Sequence, residues 1–115
     1  MANDFKNAIA QNVSNAAGGT TIYTTPATKT SIMLELDIAN TTQNVVEASV
    51  EILDSSVSAS AWRYLVKNAP VPSGGSLMVI AGQKIVLEAG DKVRVTSSAA
   101  SVMDAVAAIL EDVNS

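Results

Sequence analysis

The clearest regularity in the chain is the alternation of apolar and polar positions between Ser31 and Leu53. Ile32, Leu34, Leu36 and Ile38 fall on alternate positions, with Met33, Glu35 and Asp37 between them. After Asn40-Thr-Thr-Gln-Asn44 the pattern resumes, with Val46, Ala48, Val50 and Ile52 alternating with Glu47, Ser49 and Glu51. Successive side chains of a strand point to opposite faces, so each run predicts a strand with one buried and one wet face. Two such runs around a short polar turn predict an antiparallel hairpin.

Further strands follow from the same reading. Thr20 to Thr25 is β-branched and ends at Pro26, which cannot donate to a ladder. Ala61 to Lys67 alternates, with Trp62, Tyr64 and Val66 on one side and Arg63, Leu65 and Lys67 on the other. Asn68 to Ser76, with two prolines and two glycines, reads as a crossing. Leu77–Ile80 and Lys84–Leu87 then read as short strands around a turn at Ala81-Gly-Gln83, followed by Lys92–Ser97. Short strands with frequent turns predict an all-β protein, a single antiparallel β-sandwich of jelly-roll or immunoglobulin-like kind.

Both ends of the chain are ambiguous. Phe5, Ile9 and Val13 are spaced by four, which suits a helical face and equally one face of a strand. Residues 1–19 are expected to form an N-terminal arm, partly strand-like and docked on a neighbour, with residues 20–115 as the sandwich. At the other end Ser101-Val-Met-Asp104 resembles a helix capping box, and Val102, Val106, Ile109, Leu110 and Val113 trace a helical face. Read as a strand, Ala105, Ala107 and Ile109 face one way and Val106, Ala108 and Leu110 the other, a strand buried on both sides.

Composition narrows the chemistry. With 115 residues the chain has room for one core, and 48% apolar residues in so small a domain leave apolar surface to hide, which points to oligomerisation. Seven scattered basic residues and a net charge of −4 give no footprint for nucleic acid. No apolar run reaches the roughly 20 residues that span a bilayer; Leu77–Ala81 and Ala105–Leu110 are the longest. The opening Met-Ala-Asn-Asp-Phe-Lys lacks the pattern of a secretion signal, so synthesis in the cytoplasm is expected. For the same reason the glycosylation triplets at Asn12 and Asn40 carry no weight.

Histidine and cysteine are absent, which removes the commonest general base, thiol nucleophiles and Cys/His zinc sites. A Ser-His-Asp triad is therefore impossible, and Ser73 and Ser76 lack the order and spacing of a Ser-Lys pair with Lys84. Ser73-Gly-Gly-Ser76 lacks the Gly-Lys-Ser/Thr ending of a phosphate loop. Glu35, Asp37, Glu47 and Glu51 would share the hairpin's outer face and offer oxygens to Ca²⁺, but a solvated strand face explains them more simply. Paired acids also raise glycoside hydrolysis, which four aromatic residues scarcely support. Catalytic, metal and cofactor residues are accordingly expected to be none. Trp62 and Tyr64 read as core residues first and as interface anchors second.

The runs Tyr64–Leu77 and Gln83–Ser98, the ending Ser101–Glu111, Tyr23-Thr-Thr-Pro-Ala27 and Leu36-Asp-Ile-Ala-Asn40 together carry a resemblance. They resemble small virion structural proteins of tailed bacteriophages, especially of marine and cyanobacterial hosts, over residues 20–112. The resemblance implies a non-enzymatic β-sandwich subunit in the virion, at the tail, neck or fibre base, or a decoration protein cementing the head. It also implies a closing strand rather than a helix at the C-terminal end. The expected partners are further copies of the chain, a trimer among the candidate states, and other virion proteins. Phe5, Ile9, Val13, Trp62 and Tyr64 are the candidate interface residues. A carbohydrate-binding adhesive module is the alternative of another class.

Overall fold

In the computed structural model, residues 4–16, 18–58 and 61–111 are described. They form eight strands: β1 (Asp4–Ala10), β2 (Thr20–Thr24), β3 (Ser31–Asn40), β4 (Val46–Leu53), β5 (Trp62–Val71), β6 (Ser76–Leu87), β7 (Lys92–Ser97) and β8 (Met103–Glu111). Two four-stranded antiparallel sheets result, sheet A in the order β1-β8-β3-β6 and sheet B in the order β2-β7-β4-β5. First pairs with last, second with seventh, third with sixth and fourth with fifth, as in a long hairpin rolled up on itself. That is the double Greek key of a jelly roll, which decides between the two sandwich types expected.

The expected hairpin is not there. β3 lies in sheet A and β4 in sheet B, joined by an arch over residues 41–45. Alternation specifies that one face of each strand is buried; it does not specify the neighbour, and here the two faces meet across the core. Asn40 ties the arch down. It is 2% exposed; its amide donates to the carbonyls of Asn44 and Val71, and its Oδ1 accepts from the Thr42 backbone and hydroxyl.

Bulges reset the phase within strands. Leu34 is an extra residue opposite β8, so Met33, Leu36 and Ile38 point inward, while Ile32, on the expected core face, points outward. Leu65 is likewise extra opposite β4, which turns Val66 inward and Tyr64 outward. Leu77–Leu87, expected as two strands around a turn, is continuous in β6, with the Ala81-Gly-Gln83 region absorbed as an irregularity in its pairing with β3. β5 runs through Pro70 to Val71, tolerable because β5 is an edge strand.

The C-terminal segment is a strand. Met103, Ala105, Ala107 and Ile109 alternate into the core, and Ser101, at φ 59°, ends the preceding turn instead of capping a helix. Val113 of the expected helical face lies outside the described residues. The core itself is small and aliphatic, with Met33, Leu36, Ile38, Val50, Val71, Ile80, Val93, Val95 and Ile109 fully buried between the sheets.

Candidate functional site

Residues 4–10 of the expected arm form β1, paired with β8 of the same chain along its whole length; residues 1–3 lie outside the described part. The three residues spaced by four separate accordingly. Val13 is in the core, its backbone N–H donating to the Met103 carbonyl, whereas Phe5 and Ile9 stand on the outer face of sheet A. There they continue rows that cross all four strands. One row runs Phe5, Leu110, Ile32, Val86; another runs Ile9, Val106, Asp37, Met78; Asn7, Ala108 and Glu35 lie between. Phe5, Ile9, Met78, Val86 and Val106 are 46% to 76% exposed. With strands about 4.8 Å apart and the outer rows about four residues apart, the patch covers roughly 250 Å².

Strand β8 and parts of β6 are thus largely apolar on both faces, while β3 puts Glu35 and Asp37 on its outer one. A strand with one face in water normally alternates, and continuous apolar runs belong to strands covered on both sides. The reading of Ala105–Leu110 as a strand buried on both sides contained this signal, and so did the apolar run Leu77–Ala81. Met78, Val86, Val106 and Leu110 were missed as surface residues because only the register places them together. In the second row Asp37 Oδ1 is buried without a hydrogen-bond partner.

The outer face of sheet B differs. It carries Glu47, Ser49, Lys92, Arg94 and Thr96. Arg94 donates to both carboxylate oxygens of Glu51, at 2.9 and 3.0 Å, while its guanidinium lies 3.8 Å from the Trp62 ring centre. The reading of Trp62 and Tyr64 as core is therefore corrected. Trp62 is half-buried beneath Arg94, and Tyr64 is 52% exposed with Lys67 Nζ 5.3 Å from its ring. The extra residue at Leu65 carries the alternation out of phase, leaving Arg63, Tyr64 and Leu65 all exposed on the edge strand.

A polar cluster joins the sheets at one end. The Tyr23 hydroxyl donates to Glu111 Oε2 at 2.5 Å and lies 2.8 Å from the Ser31 hydroxyl, while Lys6 Nζ is 3.0 Å from Glu111 Oε1. Burial, followed by the Glu111 carboxylate, pushes the Tyr23 hydroxyl up to about 12. The Tyr23 hydrogen bond, with Lys6 beside it, holds the Glu111 carboxyl below its usual value. Every member has a partner in the fold, so the cluster reads as a structural tie.

The acids considered for Ca²⁺ do not converge. Glu35 and Asp37 lie on sheet A, Glu47 and Glu51 on sheet B, on opposite sides of the sandwich. Among the described residues, Asp54, Glu88 and Asp91 do come within 4.8 Å of one another. Asp91, however, already accepts from the Ser55 backbone and hydroxyl and from the Glu88 backbone, and Asp54 accepts from Ser56. These bonds account for Asp54 and Asp91 as braces of two turns. Ser76 opens β6 and Lys84 lies near its far end, so no Ser-Lys pair forms. A depression of about 300 Å³ over Phe5, Lys6, Asn7, Ala108 and Ile109 sits on the apolar face, and its one charged group is the lysine paired with Glu111.

Compared with protein-family models, with curated proteins and with solved structures, the chain matches none.

Proposed function

We propose that the chain is a non-enzymatic structural subunit that works by associating with copies of itself, in the particle of a tailed phage. The observation that carries self-association is the outer face of sheet A, where apolar side chains from four strands stand open to solvent around Asn7, Glu35 and Asp37 in the single chain. Five large apolar side chains exposed together on one face of a small domain suit a contact surface. Assembly of this kind needs shape and apolar area, and no catalytic group. The phage setting rests on the resemblance of residues 20–112, and a tail, neck or fibre-base position is preferred over head decoration.

Two measurements test this. Sedimentation of the purified chain should give an oligomer; a monomer at high micromolar concentration refutes self-association. Mass spectrometry of purified virions should detect the chain well below the copy number of the major capsid protein. A ratio near the capsid protein's own would make it a head decoration protein, and absence would remove the phage setting.

A second reading draws on Trp62 and Tyr64 being outside the core: aromatic side chains on an exposed strand suit a carbohydrate-binding module. Trp62 emission unchanged across a glycan panel would remove it.

A further inference from the structure

The apolar face of sheet A has a matching surface on the same molecule. We infer that it docks on strand β5 of a second copy, head to tail, so that the subunits close into a ring; this rests on the self-association proposed above. Two surfaces lack partners in the single chain. One is the sheet A face, which carries Glu35, Asp37 and Asp104 against exposed Lys84 in β6, the Lys6 of β1 being already paired with Glu111. The other is the first half of β5, where Tyr64 (52% exposed) and Leu65 (38%) stand beside exposed Arg63 and Lys67.

Charge separates this arrangement from the obvious alternative. Two sheet A faces packed on each other would bring the acids of both copies together and leave Asp37 Oδ1, already without a partner, under a second apolar surface. An unpaired buried carboxylate is among the costliest groups to cover. β5 presents two cations, neither ion-paired among the described residues, flanking an apolar pair. Acidic apolar face and basic aromatic strand are complementary, which fixes partner and orientation.

In a ring each subunit gives its face to one neighbour and its β5 to the other. A heterologous contact that closes makes a cyclic oligomer of three or more copies.

Complementation tests it on the full chain, by sedimentation velocity with circular dichroism as the check on folding. Val106→Lys spoils the face and Leu65→Glu spoils β5, both at exposed positions. Wild type should form a discrete oligomer of at least three copies and each variant alone a monomer. Mixed in equal amounts, the variants should form a one-to-one dimer, because each keeps the half-site that the other lost. Met78→Lys and Tyr64→Glu repeat the test should either first variant fail to fold. A wild-type dimer, a Leu65→Glu variant that keeps the wild-type oligomer, or a mixture that stays monomeric overturns the head-to-tail contact and leaves self-association standing. A monomeric wild type overturns both.

Discussion

Replacing Asn40 by alanine should cost about 3 kcal/mol of stability, the sum of what its side chain does in the arch between the sheets. Its amide donates to the Val71 carbonyl at 3.1 Å and the Asn44 carbonyl at 2.6 Å; its Oδ1 accepts from Thr42 N at 3.0 Å and Thr42 Oγ1 at 2.8 Å. A typical hydrogen bond contributes about 1 kcal/mol net, and losing the partner of a buried group costs about 1–3 kcal/mol. Asn44 is exposed and its carbonyl regains water, so its share is small. Val71 is fully buried and does not. The remaining bonds bring the total to about 3 kcal/mol, a large part of the 5–15 kcal/mol that holds a domain together. Urea denaturation followed by the emission of Trp62, the chain's one tryptophan, measures it directly. Wild type and variant must be compared at one protein concentration, since self-association shifts apparent stability. In a melt the loss should appear as a fall of roughly 12 °C. Asn40→Asp keeps the contacts at Oδ1 but gives up both donations and buries a charge, so at neutral pH it should cost at least as much. Gln43→Ala, exposed in the same arch, should stay within about 0.5 kcal/mol of wild type. A loss below about 1 kcal/mol for Asn40→Ala would refute the reasoning and leave the arch held by its strands alone.

Gly19→Ala should destabilise by about 3 kcal/mol or more in the same urea assay, because a Cβ there would sit 2.3 Å from the Val95 carbonyl oxygen and 2.4 Å from Thr96 Oγ1, at φ +56°. Arg94→Lys should cost about 1–2 kcal/mol and shift Trp62 emission, since lysine supplies neither the two-pronged contact to Glu51 nor a flat cation over the indole. Stability should fall as pH rises from 10 to 12: the unfolded tyrosine ionises at its ordinary 10.0 while Tyr23 keeps its proton until about 12. Tyr23→Phe should flatten that alkaline decline in melts recorded across the range. Glu111, held below its ordinary 4.5, should contribute its stability fully above that pH and lose it as acid protonates the folded carboxyl; Glu111→Gln should shrink the acid decline.

Much of the fold was legible in the alternation along the chain. β2, β3, β4 and β7 lie where the pattern puts strands, because period two is a local consequence of one face being buried, whereas at β8 the pattern suited a helix as well and the resemblance pointed to the strand. The partner of each strand was not legible. The polar turn after Ile38 suits a hairpin and an arch equally, and the arch won because the apolar faces of β3 and β4 fill one core from opposite sheets. Nor was the phase. Single extra residues at Leu34 and Leu65 moved Ile32 and Tyr64 to the outside, and nothing local distinguishes a bulged leucine from a paired one. The candidate contact surface shows the same division. The sequence by itself determined that Ala105–Leu110, as a strand, is apolar on both sides. Only the tertiary structure decided that one of those sides joins Phe5, Ile9, Ile32, Met78 and Val86 in an open patch, because a surface shared by four strands exists only once their registers are set.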